Sequence, residues 1–162
     1  MKYIHPDMPA GRPHLGRRGY VAALVLGDIL AFLIFAALGR RSHGAAAGLS
    51  DLFEVIKTAT PFLPGWFVVA PWLKAYRDER PHISDRQGTG VSPQQGPYVR
   101  TMLQRTTLAW IVACPIGLVL RALFLWRGIP VSFAVVTFAS TLLILGGWRA
   151  AFAWLVTRRP IG

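Results

Sequence analysis

Two long runs of uncharged, apolar residues limit what this chain can fold into. Residues 128–148 carry no Asp, Glu, Lys or Arg, and residues 19–39 carry only one of these, Asp28. Arginine bounds each run on both sides. Because about 20 mostly apolar residues carry a helix across the hydrocarbon core of a bilayer, each run predicts a transmembrane helix.

Two shorter runs complete the predicted set of spans. Residues 58–73 and 106–120 are also uncharged, and with their flanks each is long enough to cross a bilayer. The chain is 53% hydrophobic and 15% charged, whereas soluble domains are about a quarter charged. The predicted fold is an all-α integral membrane four-helix bundle, with spans at about 20–38, 51–73, 106–126 and 130–155.

The segments outside these spans differ in composition and charge. A basic, Pro- and Gly-rich tail occupies residues 1–19, and the four-helix domain covers residues 20–157 with a central loop at 74–105. The tail, the loop and the C-terminus together hold twelve Lys and Arg residues, against three in the other two loops. Since Lys and Arg concentrate in cytoplasmic loops, both termini and the central loop are predicted to be cytoplasmic, in a bacterial inner membrane.

The second span is interrupted by prolines. The stretch "TATPFLPGWFVVAPWL" contains Pro61, Pro64 and Pro71. Each removes a backbone donor and crowds the preceding turn, and in lipid the freed groups must be satisfied by protein or water. The second helix is therefore expected to be kinked or broken. Two interpretations stay open: a kink that only shapes packing, or a break that forms a binding crevice.

A crevice at this break would hold an apolar ligand against aromatic and proline side chains. Carotenoid and quinone fit, because apolar and aromatic contacts with few polar groups can hold each of them. An aromatic belt at the membrane surfaces accounts for the tryptophans equally well. The candidate crevice residues are Pro61, Phe62, Pro64, Trp66, Trp110, Trp126 and Trp148.

Asp28 lies deep within the first span, and Arg149 matches its depth in the fourth. Asp28 follows Arg18 by ten residues and Arg149 precedes Arg158 by nine, so both lie about 14–15 Å from the predicted cytoplasmic surface. Buried charges in a bilayer are costly unless paired, and this predicts an Asp28–Arg149 ion pair. The alternatives are a helix that leaves the membrane near Trp148, and a proton or ion relay at Asp28.

A second charged layer is predicted nearer the outer surface. Lys57 and Arg121 each lie about 24–26 Å from the inner surface, and Glu54 precedes Lys57 by one helical turn. Glu54 is therefore the expected partner of both cations. Alternatively, the long side chains extend to the membrane surface and keep their charges in water.

Several classes of function are excluded by the residues present. The four histidines all lie outside the predicted spans, which argues against a bis-histidine haem in the bundle. No metal-binding or nucleophile motif occurs, so neither a metal site nor enzymatic activity is expected. The net charge of +11 would suit nucleic acid, but the basic residues cluster at the ends of apolar runs, as orientation in a membrane requires.

Four short motifs resemble a bacterial family of small four-span membrane proteins catalogued as a domain of unknown function. They are "GD" at 27–28, "TATPFLPGW" at 58–66, "PIGLVLR" at 115–121 and "GWR" at 147–149. The resemblance covers about residues 20–155 and implies the four-helix architecture, but it implies no activity. It draws attention to Asp28, Trp66, Arg121 and Arg149.

Two functional hypotheses follow. The first is a non-enzymatic accessory subunit that joins other integral membrane subunits in a larger complex. It would hold a carotenoid, another pigment or a quinone, for example in a photosynthetic antenna–reaction-centre assembly. The second is a small oligomeric transporter or ion pathway that uses Asp28 and the broken second helix. Four helices without an evident internal repeat disfavour the second, because many transporters are built from repeats.

Overall fold

The computed structural model describes residues 16–41, 49–78, 95–126 and 128–157, and their regular structure is entirely helical. There are five helices in these ranges: α1 (Arg17–Arg41), α2 (Leu49–Ala59), α3 (Phe62–Trp72), α4 (Gln95–Leu125) and α5 (Val131–Thr157). The predicted tail lies outside the described residues as far as residue 15.

Three of the helices are long and apolar enough to cross a membrane: α1, α4 and α5. Helices α2 and α3 pass the same test only as a pair, which bends by 45° where the helices meet. The described chain thus has three candidate spans, or four if the bent pair counts as one. The protein has the composition and helix lengths of a membrane protein.

Prolines separate α2 from α3, as expected for this segment. Helix α2 ends at Ala59, and Pro61 lies just before the first residue of α3 with helical backbone angles. Pro64 follows in the first turn of α3, where backbone N–H groups have no helical acceptor in any case. Pro71 lies in the last turn, and the helix ends one residue later. Pro64 therefore lies where its missing donor costs least, whereas Pro71 removes an N–H that would bond one turn back, close to the point where α3 ends.

Helix α4 begins earlier than the sequence predicted. The central loop was expected to run to residue 105, but the helix starts at Gln95. The uncharged run at residues 106–120 marks only the part of the helix that suits hydrocarbon, and a helix can continue beyond that part. Pro97 fits the first turn, and Tyr98, Met102 and Thr106 are buried at four-residue intervals. This spacing places all three on one face of the helix.

The helices do not all pack together along their full length. One end, here called the Tyr20 end, is built from α1, α4 and α5 around a cluster that includes Tyr20, Tyr98 and Phe152. The larger aromatic core lies beyond it, where α3 joins these helices. Because α3 ends short of the Tyr20 end, the described helices that pack around the Tyr20 cluster are α1, α4 and α5.

Glycines allow the closest helix approaches in the described chain. A Cβ built on Gly27 would lie 1.9 Å from ring carbons of Trp148, which brings α1 against α5. A Cβ on Gly117 would lie 2.5 Å from the Phe62 ring, which brings α4 against α3. Small residues at such positions permit close packing between membrane helices, and a larger side chain would displace the facing ring or force these helices apart.

Candidate functional site: a buried carboxylate–guanidinium network

Asp28 of α1 and Arg149 of α5 form a fully buried ion pair. Arg149 Nη2 donates to Asp28 Oδ2 at 2.6 Å, and Arg149 Nε donates to Asp28 Oδ1 at 3.0 Å. Both side chains have 0% exposure. This two-point contact between guanidinium and carboxylate is among the strongest arrangements of charged hydrogen bonds, and it brings the two depth-matched residues together.

Two neutral donors complete the shell around the carboxylate. Tyr76 donates its hydroxyl to Asp28 Oδ2 at 2.7 Å, and Trp66 donates Nε1 to the same oxygen at 3.0 Å. Burial, and after it the negative charge of Asp28, raises the pKa of the Tyr76 phenol. The phenol therefore remains protonated and keeps its role as a donor. Asp28 accepts four hydrogen bonds in all, three of them at Oδ2.

The guanidinium of Arg149 is enclosed in a similar way. Its Nη1 donates to the backbone carbonyl of Ala75 at 2.7 Å, and Thr106 Oγ1 lies 3.5 Å from the same nitrogen. The guanidinium carbon lies 5.2 Å from the Trp66 ring centre and 4.9 Å from that of Tyr76. Aromatic faces attract cations at such distances. The positive charge is thus balanced by one carboxylate, one carbonyl and two aromatic rings.

The turn that ends α3 delivers two of these groups. The Ala75 backbone N–H donates to Ala70 at 2.8 Å and the Lys74 N–H donates to Pro71 at 3.0 Å, which is the hydrogen-bond pattern of a Schellman cap. Lys74 takes the left-handed conformation this cap needs, with φ of 58°. The reversal points the Ala75 carbonyl and the Tyr76 ring back toward the ion pair.

Replacing Lys74 with glycine should stabilise the protein by about 0.5–1 kcal/mol, because glycine adopts a positive φ without the steric cost that other residues meet. Thermal unfolding of detergent-solubilised protein measures the change. Lys74→Ala is the matched control, since it removes the same side chain but keeps the Cβ. Equal effects of the two substitutions would show that the backbone conformation of Lys74 is not the cause.

The contacts of the ion pair locate it more precisely than the depth of Asp28 along α1 does. Asp28 lies near the middle of α1, yet the pair lies level with Ala75, just beyond the end of α3. It therefore joins α1, α4 and α5 at the level where α3 leaves the bundle. Tyr76, Thr106 and the Ala75 carbonyl were not predicted from the sequence. The available signal for Tyr76 was a polar aromatic residue soon after the predicted second span.

The charged residues that were predicted to form an outer layer do not all lie together. Glu54 Oε1 lies 3.5 Å from Lys57 Nζ, and Glu54 Oε2 lies 3.7 Å from Arg40 Nη1. The Glu54 side chain is 41% exposed, and exposed pairs of this kind contribute little stability. Arg121 does not join Glu54: it lies 4.7 Å from the Phe133 ring centre, and among the described residues the structure gives it no ion pair.

The seven candidate crevice residues do not surround one space. Phe62, Trp66 and Trp110 are fully buried and contact one another, with ring centres 6.2–6.3 Å apart for the pairs that include Trp110. Pro61 is also buried, whereas Pro64 is exposed. Trp126 is 93% exposed at the end of α4, and Trp148 packs against Gly27. Aromatic side chains thus fill the region beside the α2–α3 break.

The outer surface carries a separate open groove of about 950 Å³. One face of α4, from Gly96 to Leu108, lines it together with Trp154 of α5. Its other lining residues are the apolar Val99 and Leu103 and the polar Arg100, Gln104 and Thr107. As for metals, no three His, Cys, Asp or Glu side chains come together in the described ranges.

Comparison with known families gives one match. A family model described as "Protein of unknown function (DUF3054)" matches residues 25–152, which include Asp28, Trp66, Arg121 and Arg149. No curated protein and no solved structure matches the chain.

Proposed function

We propose that this chain, which belongs to the DUF3054 family of proteins of unknown function, is a non-enzymatic accessory subunit of a larger complex in the bacterial inner membrane. The observation that carries the proposal is the Asp28–Arg149 network, in which both carboxylate oxygens accept hydrogen bonds. The network joins α1, α4, α5 and the turn after α3. Such a network suits a component that holds a fixed shape for its neighbours.

The proposal includes a four-span topology in which α2 and α3 together form the second span. Supporting it, the start of α1 and the end of α5 lie at the same end of the bundle, since Tyr20 packs on Phe152 with ring centres 5.5 Å apart. The excess of Lys and Arg in the segments at this end favours a cytoplasmic location for it.

The hydrogen bonds of Asp28 favour a structural role over an ion pathway. In this role, here called the clamp, the Asp28–Arg149 pair holds the helices together. A carboxylate that relays protons or ions must exchange partners during each cycle, but here Arg149, Trp66 and Tyr76 already occupy both of its oxygens. Releasing Arg149 would leave its charge buried without a counter-ion, which costs several kcal/mol. The network is better suited to fixing the positions of α1, α4 and α5 relative to the turn after α3.

The exterior of the bundle is suited to lipid and to other membrane subunits. On α1, Leu26, Leu30, Ile34 and Leu38 recur every four residues and are 42–66% exposed. This spacing forms one continuous apolar stripe along the helix. The stripe supports burial in the bilayer, where neighbouring integral membrane chains could also contact it.

A bound carotenoid or quinone, and with it a photosynthetic host complex, remains a prediction. Because Phe62, Trp66 and Trp110 pack against one another beside the α2–α3 break, an apolar ligand has more space on the exterior than at the break. A ligand held between this subunit and a neighbour fits this arrangement.

Purification from native membranes in mild detergent tests the proposal. We expect defined integral membrane chains to co-purify, and an absorption spectrum of the same sample tests for a pigment. A protein that purifies alone, without colour, and moves protons or ions in liposomes would support the transporter instead. In that case Asp28→Asn should abolish the flux, whereas Glu54→Gln, an exposed carboxylate in α2, should leave it intact.

A further inference from the structure

We infer that the groove on α4 beside Trp154 binds one anionic glycerophospholipid of the surrounding bilayer. This rests on the proposed membrane location but not on the proposed subunit role. Among the described residues the groove is open to the outside, so no rearrangement of these helices is needed for a lipid to enter it from the bilayer.

The dimensions of the groove fit one lipid. From Gly96 to Leu108 it follows twelve residues of helix, which is about 18 Å at 1.5 Å per residue. One leaflet contributes about 15 Å of hydrocarbon. Apolar side chains line the groove at Val99, Leu103 and Leu108, at intervals of four and five residues along α4, and an acyl chain lying along the groove would contact all three.

The polar groups lie where a headgroup would be. Arg100 is exposed within the groove, and Gln104 and Thr107 follow it one and two turns further along the same face. Arginine binds phosphate through two parallel N–H donors, and the amide and hydroxyl can donate to ester carbonyls. Among the described residues the structure gives Arg100 no carboxylate partner, so its charge complements an anionic lipid.

The depth of the site agrees with this assignment. Arg100 precedes Thr106 by six residues, so it lies about 9 Å from the level of the Asp28–Arg149 pair toward the Tyr20 end. Trp154 follows Arg149 by five residues in the same direction, and tryptophan favours the boundary between hydrocarbon and headgroups. Basic pockets on the cytoplasmic side of membrane helices bind anionic headgroups.

Titration of the purified full chain in neutral detergent tests the site, with native mass spectrometry counting bound lipids. Phosphatidylglycerol should bind more tightly than phosphatidylcholine with the same acyl chains. Arg100→Gln should weaken phosphatidylglycerol binding about fivefold, the effect expected of one basic residue at a membrane surface. Arg100→Lys keeps the charge but not the two parallel donors, so it should restore only part of the binding. Arg18→Gln, an exposed arginine at the same end of the bundle, is the matched control and should change little.

Three results of the titration would overturn the inference. They are equal binding of the two lipids, an equal loss in Arg18→Gln, and competition by inorganic phosphate at the concentration of the lipid, which would indicate a simple anion site. Extraction of a carotenoid or quinone from the groove in place of phospholipid would also overturn it. Because the assay uses the isolated protein, failure here leaves the subunit proposal to its own co-purification test.

Discussion

Asp28→Leu and Arg149→Leu should each destabilise the protein by about 3–5 kcal/mol, because either change leaves the opposite charge buried without its partner. The variant carrying both changes should be clearly more stable than the sum of the two losses predicts. Replacing a buried ion pair with apolar side chains often costs little. The destabilisation that remains in the double variant should come from Trp66 and Tyr76, which lose their acceptor, and from the Ala75 carbonyl, which loses its donor.

Reversible unfolding in mixed micelles, measured as a double-mutant cycle, gives the coupling free energy of the pair. We expect a coupling of about 2 kcal/mol or more, since residues within one buried network couple strongly. The exposed Glu54–Lys57 pair is an internal control, and its coupling should stay within about 1 kcal/mol. Additive losses for Asp28 and Arg149 would contradict the clamp, whatever the size of each single effect.

Gly27→Ala should destabilise the protein, although alanine is otherwise the better residue in a helix. The new Cβ would lie 1.9 Å from Trp148 ring carbons, a distance that no side-chain rotation of alanine can relieve. The Trp148 ring would have to leave its position against α1, or α1 and α5 would have to separate at the level of the ion pair. Overpacking of this kind costs about 1–3 kcal/mol and sometimes more, and it would also strain the Asp28–Arg149 contact.

Gly147→Ala is the matched control for this substitution. Gly147 is the chain neighbour of Trp148 on α5, but nothing lies within 4 Å of the position where its Cβ would be. Thermal unfolding should therefore show a loss for Gly27→Ala and no loss for Gly147→Ala. Trp148→Leu should rescue Gly27→Ala by removing the ring. A Gly27→Ala protein that unfolds like the unaltered one would show that α1 and α5 do not approach as described.

The substitutions of the Asp28–Arg149 pair and of Gly27 test two features of the packing between α1 and α5. The ion pair specifies which helices meet and at what level, and the glycine–tryptophan contact sets how closely α1 and α5 approach. If both results hold, the interior of this protein is a rigid junction. The parts free to interact with other molecules would then be its apolar exterior and the groove on α4.

Much of the fold was predictable because the membrane imposes simple rules on sequence. The apolar runs identified α1, α4 and α5, and the prolines identified the break between α2 and α3. The depth match between Asp28 and Arg149 was also predictable, since rise per residue converts sequence distance into height. The same method could not predict that α4 begins at Gln95, because a helix that leaves the hydrocarbon no longer needs an apolar sequence.

The failures at the candidate site have a common physical reason. Depth along a helix does not specify the direction in which a side chain points, so Lys57 and Arg121 were predicted at the same depth although, of the two, only Lys57 pairs with Glu54. The same limit explains why Phe62, Trp66 and Trp110 meet in a packed core while Trp126 is exposed.

The sequence by itself determined that this chain is helical and apolar enough to enter a membrane, and that it carries one acid and one base at matched heights. Only the tertiary structure decided what surrounds that pair. The turn after α3 brings Ala75 and Tyr76 to it, and α4 brings Thr106. These contacts depend on where backbones cross and turn, and a backbone carbonyl such as that of Ala75 has no side-chain signal in a sequence.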